Sequence, residues 1–203
     1  MKTQRQNIQS LAPKLPVIFR PRNLEEQGVS RDRLRGFLRR GEVERIGRGL
    51  YRAAKASAGA DANESLAIVC ARAPRAVVCL LTALRFHGIG TQTPRAVWIA
   101  ISRASRKPVI PHVPVRVVRF SPAMLRYGIE MHTIQGVEVR ITSPARTVVD
   151  LFRYRKKLGI DVAIEALKDA VASKRVRPQD LRLAAEAGRV AVVMRPYLEA
   201  IYA

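Results

Sequence analysis

The stretch GVSRDRLRGFLRRGEVERIGRGLYR, from Gly28 to Arg52, leaves the backbone few options. Gly28 and Gly41 bracket a segment that holds one short helix, with Ser30 placed to cap its start. Leu34, Phe37 and Leu38 follow the i, i+3, i+4 spacing of a single buried face. Beyond Gly41, Val43 to Ile46 and Leu50 to Arg52 are short strand candidates, and Gly47-Arg48-Gly49 is the tight loop between them. Upstream, Asn23 to Gln27 reads as one or two helical turns that stop at Gly28. Helix, glycine turn, helix and two-stranded hairpin is the order of a winged helix-turn-helix.

This stretch carries eight arginines and no lysine. At about 100° per residue, Asp32, Gly36 and Arg39 fall opposite the apolar face, flanked by Arg33, Arg35 and Arg40. A mid-helix glycine costs roughly 1 kcal/mol against alanine, and on the outer face it admits a close approach by DNA. In such a motif the second helix lies in the major groove with its N-terminal residues nearest the bases. That assigns Arg31 and Arg33 to base contacts, and Arg39 and Arg40 to phosphates. The hairpin carries Arg45, Arg48 and Arg52, with Arg48 at its tip. A solvated basic helix would explain arginine in general, but not its concentration on both helix and hairpin.

The whole chain of 203 residues carries 37 Lys+Arg against 16 Asp+Glu, a net charge of +21. That excess points to a polyanion, nucleic acid ahead of an acidic protein. Residues 1–60 hold 14 basic and 5 acidic side chains, so their charge per residue is about twice that of the remainder. Cys70 and Cys79 lie in apolar surroundings and read as small hydrophobes rather than a disulfide. No apolar run approaches the ~18–20 residues that span a bilayer. MKTQRQNIQS lacks the apolar core of a signal peptide, so a cytoplasmic location is expected.

Residues 3–12 read as a short helix ended by Pro13 and Pro16, followed by the apolar run Val17-Ile18-Phe19. AAKASAGADANES, residues 53–65, has no large hydrophobe and reads as a linker. The domain reading is 1–55 for the winged helix, 56–64 for the linker and 65–203 for a second domain. Helices are expected near 62–72 and 76–87, and strands at Ala96–Ser102, Val115–Phe120, Glu130–Ile134 and Val137–Thr142. Ser143-Pro144 signals a helix start, with that helix running to about Lys157. Helices near 160–173, 178–187 and 190–201 complete the chain. The grouping of helices and strands predicts an α+β fold, the second domain having a small, mostly antiparallel sheet and C-terminal helices.

The Gly28–Arg52 stretch resembles the N-terminal winged helix of AbiEi-type antitoxins of type IV toxin–antitoxin systems, most specifically in the helix, Gly41 and RIGRGLY. CLLTALRFHGIGTQTPRAVWIAI, VRVVRFS and GVEVRITSPARTVVDLFRYRKKLGIDVAIEALKDA look like the C-terminal antitoxin region of the same family. Together these segments cover most of residues 17–200. The resemblance implies a protein that binds double-stranded DNA at promoter repeats and so represses its own operon. It also implies a C-terminal domain that counters a nucleotidyltransferase-like toxin, in some systems as abortive infection against phage. It implies no cofactor and no catalytic residues.

In the second domain, Arg146, Asp150, Arg153 and Lys157 recur at i, i+4, i+7 and i+11, a stripe on one helix opposite Ala145, Val148, Val149 and Phe152. Arg155 and Lys156 add charge near its end. Two readings stand side by side: an Arg146–Asp150 ion pair on a solvated face, or a second basic surface of Arg146, Arg153, Arg155, Lys156 and Lys157 for nucleic acid or an acidic toxin. An enzyme reading rests on Asp161, Glu165 and Lys168, the nearest approach to a nuclease metal site, but these read better as the polar face of a helix. His87, His112 and His132 show no metal-ligand spacing, so no metal is expected. The alternatives to an antitoxin are a winged-helix regulator without a toxin partner and a nuclease with a DNA-targeting head.

Overall fold

A computed structural model of the chain describes residues 8–11, 18–54, 62–110 and 113–202. Most of the linker read at 56–64 lies outside the described residues, as do Pro13, Pro16, Val17, His112 and the helix read at 3–12 apart from 8–11. The chain divides into two compact units, residues 1–74 with 133–139 and residues 75–132 with 140–203. Ala62–Arg72, most of which the sequence reading gave to the second domain, falls in the first unit.

The first unit contains α1 (Ile8–Leu11), β1 (Ile18–Phe19), α2 (Pro21–Glu25), α3 (Arg31–Arg39), β2 (Val43–Gly47), β3 (Leu50–Ala53) and α4 (Ala62–Arg72). Pro21 opens α2 at a position where a backbone N–H has no helical partner, and Asn23 Oδ1 accepts from Arg20 N at 2.8 Å. Ser30 caps α3, its hydroxyl accepting from Arg33 N at 3.3 Å. Leu34 and Phe37 of α3 join Ile8, Leu11, Phe19, Leu24, Val29 and Val43 in one buried cluster. The hairpin β2–β3 is antiparallel and gains β1 as a third strand, in the order β1-β3-β2. From sequence alone Ile18-Phe19 is a brief apolar run and not a recognisable strand. Two residues are too short to show a period, and only pairing with β3 defines them.

The second unit holds β4 (Val77–Val78), α5 (Leu80–His87), β5 (Val97–Ser102) and β6 (Val115–Phe120), with β7 (Ile129–Ile134) up to His132 and β8 (Val137–Thr142) from Arg140. The helices α6 (Pro144–Arg153), α7 (Arg155–Leu158), α8 (Ile160–Ala172), α9 (Pro178–Ala187) and α10 (Ala191–Tyr202) follow. The sheet order is β6-β5-β4-β8-β7. The β4–β5 pair is antiparallel, but β4–β8 and β5–β6 are parallel, so the sheet is mixed rather than mostly antiparallel. β5 ends at Ser102 and β6 begins at Val115, far enough apart in sequence for the crossover that a parallel neighbour needs. The helix read at 76–87 is also corrected. Val77 and Val78 are extended and fully buried in the sheet, where β-branched side chains pack well, and the helix starts only at Leu80.

α6 is the centre of this unit. It packs against α5, α8 and α9, and every residue from Ala145 to Phe152 is buried. Ser143 caps it and Pro144 takes the first helical position, as its sequence indicates. The helix ends at Arg153, however, and α7 begins beyond Tyr154.

Candidate nucleic-acid interface

α3 buries one side only, so its charges are left on the other. Two of its arginines, and Arg40 at its C-terminal cap, are held by acids. Arg31 Nε donates to Glu25 Oε1 at 2.7 Å, Arg35 Nη1 to Asp32 Oδ1 at 2.9 Å, and Arg40 Nε to Glu42 Oε1 at 2.6 Å. The hydrogen bond from Arg40 holds the Glu42 carboxyl below its ordinary range. Arg40 also lies over the Phe37 ring, 5.3 Å from its centroid. Its guanidinium occupies the space outside Gly36, where an added Cβ would meet Nη1 at 3.2 Å. The helix glycine therefore makes room for a neighbouring arginine, a use the sequence alone does not suggest. Arg33 is half-buried on the flank of the helix. Arg39 is exposed, with no hydrogen-bond or ion-pair partner among the described residues.

The hairpin sorts its arginines by face. Arg45 pairs with Tyr51 and Val43 with Ala53, while Glu44 pairs with Arg52. Side chains alternate along a strand, so Arg45 shares the side of Val43 and Tyr51, which pack on the buried cluster beneath α3. Arg45 is exposed, and its Nε donates to Gly47 O at 3.2 Å. Arg48 lies at the tip between the strands and has no such partner among the described residues. Arg52 faces the other way. It is ion-paired with Glu44 and with the buried Glu64 of α4, and its side chain is 17% exposed. Arg52 is thus a brace inside the unit rather than part of the surface the sequence reading gave it.

Two arginines outside the Gly28–Arg52 stretch belong to the same unit. Arg20 Nη2 donates to Ala71 O at 2.8 Å, closing the end of α4. The guanidinium of Arg72 lies against Gly47, where a Cβ would sit 2.3 Å from Nη1. No local pattern announces either contact, because the partners are 51 and 25 residues apart in sequence.

The second basic surface does not form as one stripe. Arg146 is 1% exposed and Asp150 is fully buried. They belong to the buried core, not to a solvated face, because the Phe120 and Tyr127 rings and Gly128 cover Arg146 on this side. Arg146 Nε is 2.9 Å from Asp150 Oδ2 without the geometry of a hydrogen bond, so charge holds the pair. The Arg146 guanidinium also donates to Tyr127 O at 3.2 Å and lies over the Phe120 and Tyr127 rings. Burial pushes the Asp150 carboxyl up to about 6, against the pull of Arg146. Arg153 Nη1 donates to Gly188 O at 3.0 Å and Arg155 Nη1 to Phe152 O at 2.8 Å, while Lys157 Nζ sits 5.4 Å from the Trp98 ring centroid. Lys156 is exposed.

Of the two carboxylates of the nuclease alternative, Asp161 and Glu165, it is Glu165 that has structural partners. Glu165 accepts from Thr91 N at 2.8 Å and from Thr91 Oγ1 at 2.6 Å, and these bonds lower its pKa. Asp169 accepts from Gly90 N at 2.7 Å. Among the described residues no group of His, Cys, Asp and Glu is placed to hold a metal ion. Cys70 and Cys79 are free and buried, and burial pushes the Cys70 thiol up to about 12. Among the described residues no helix is long and apolar enough to cross a membrane.

Two family models match this chain. Residues 6–54 match one described as "Transcriptional regulator, AbiEi antitoxin", and residues 76–197 match one described as "AbiEi antitoxin C-terminal domain". No curated protein matches it significantly. Among solved structures it is similar to the crystal structure of the RV2827C protein from Mycobacterium tuberculosis, with a TM-score of 0.55 and 18% identity over 95% of this chain and 79% of that chain. At that identity the likeness is one of fold.

Proposed function

The chain belongs to the AbiEi antitoxin family, and from that premise we propose that it is a DNA-binding antitoxin that represses its own operon. In this reading residues 1–55 bind double-stranded promoter repeats, α3 enters the major groove and the β2–β3 hairpin lies on the adjacent backbone. Residues 65–203 counter a nucleotidyltransferase-like toxin in the cytoplasm, as a regulator rather than an enzyme. The observation that carries the DNA reading is the pair Arg39 and Arg48. One is on the helix and one at the hairpin tip, both are exposed, and neither has an acidic partner among the described residues. Unpaired guanidinium groups can meet phosphates without first giving up a carboxylate.

The test is a titration of the full chain against the DNA upstream of its own gene and against random DNA, at two salt concentrations. The expected result is binding to the upstream DNA tighter by about a thousandfold or more, weakened on both DNAs by the double change Arg39→Ala and Arg48→Ala. Equal affinity for the two DNAs would remove autorepression from the proposal. Growth rescue when the chain is co-expressed with the adjacent toxin gene tests the antidote role separately.

A further inference from the structure

The acids of the first unit pose a question that arginine alone does not. Asp32 stands on the face of α3 opposite Leu34 and Phe37, in the position that would point deepest into a groove. It is an odd residue to aim at a polyanion. The fold has little need of it: Ser30 already caps the helix, and the Asp32–Arg35 pair has side chains 86% and 77% exposed, a setting in which ion pairs add little to stability. The pair is nevertheless formed, with Arg35 Nη1 2.9 Å from Asp32 Oδ1.

The chemistry of the major groove supplies a use. On the edge of one C·G pair, the cytosine N4 amino group is a donor, and beside it guanine O6 and N7 are acceptors. A contacting carboxylate and guanidinium present the complementary order, an acceptor beside a donor. The carboxylate also fixes the guanidinium, so less side-chain freedom is lost on binding. Against a phosphate the same carboxylate is repulsive, so it penalises the sequence-independent mode of binding.

We propose that Asp32 and Arg35 act as a single reading unit for one C·G base pair, and that Asp32 is a specificity-determining residue. The inference rests on the DNA-binding reading above. It makes Asp32 an acid that raises discrimination while lowering affinity for DNA in general. Arg35 is then a base-contacting residue rather than a phosphate-contacting one.

The experiment compares the full-length wild type with Asp32→Ala, on upstream DNA, on random DNA and on upstream DNA altered one base pair at a time. Asp32→Ala is expected to bind random DNA more tightly at low salt. Its upstream-to-random ratio is expected to fall by roughly fivefold to a hundredfold. One C·G position that the wild type does not tolerate changing is expected to be less stringent in the variant, which keeps only the Arg35 contact to guanine. Asp32→Asn, which keeps the side chain's size, repeats the comparison if the alanine variant melts at a lower temperature. An unchanged ratio, or the same base-pair profile in variant and wild type, overturns the proposal and leaves Asp32 a solvated charge. Equal affinity of the wild type for both DNAs is a different result: it ends the DNA-binding reading itself, and the reading unit with it.

Discussion

Arginine has opposite fates in α3 and α6. Both helices carry it at helical spacing beside an acid, and both have a clear apolar stripe. In α3 the acids hold arginines at the surface, because only one side of the helix is covered. In α6 the helix is covered all round, and the Arg146–Asp150 pair is taken inside. Periodicity marks a polar stripe but not what lies against it. An i, i+4 pair of opposite charges therefore reads the same on a solvated helix and in a core.

The largest expected effect breaks the α6 side of this contrast. Arg146→Met keeps most of the side chain's volume but leaves Asp150 buried without its cation. Removing one partner of a buried pair typically destabilises by about 3–5 kcal/mol. Replacing both, as Arg146→Met with Asp150→Leu, is expected to recover most of that loss, since no buried charge then lacks a partner. Urea unfolding of the wild type and these two variants measures both numbers. A loss below about 1 kcal/mol for the single change would place Arg146 in solvent after all.

The same pair makes stability depend on pH with a definite sign. Burial raises the Asp150 carboxyl to about 6, above the usual value of 3.8. The folded chain therefore binds a proton that the unfolded chain has already released. This group's contribution to stability is fully present below about pH 4 and is lost as pH rises through about 6, on the order of 3 kcal/mol in all. Unfolding of wild type and Asp150→Asn between pH 4 and 8 isolates it, because other groups titrate alike in both. Parallel pH curves for the two proteins would show that Asp150 has no raised pKa.

Much of the first unit was legible in its residues. Gly28, Ser30, Gly41 and the Gly47-Arg48-Gly49 loop punctuate the chain, and the structure sets α3 and the hairpin between them. The strands 115–120 and 137–142 and the helix 62–72 also follow from composition and alternation. What escaped depends on partners distant in sequence. Val77-Val78 needs β5 and β8 on either side before it is a strand. Arg52 needs Glu64, and Gly47 needs Arg72, for their roles to appear. Within the candidate site, the Asp32–Arg35 spacing was visible as i, i+3, but the Arg31–Glu25 bond crosses the turn and was not.

A smaller effect sharpens the contrast within the hairpin itself, where Arg48 and Arg52 are four residues apart. Arg52→Met removes the partner of the buried Glu64, and an unsatisfied buried polar group costs about 1–3 kcal/mol. Arg48→Ala touches no partner among the described residues, so its stability is expected to stay within about 0.5 kcal/mol of wild type. On DNA the order reverses. Losing one phosphate contact at Arg48 lowers the salt slope of binding by about one, and nearly equally on upstream and random DNA. Arg52→Met leaves that slope unchanged wherever the chain remains folded, because its side chain faces α4. If the two variants shift the slope alike, the hairpin's two faces do not differ in function, and the division of its arginines between bracing and binding fails.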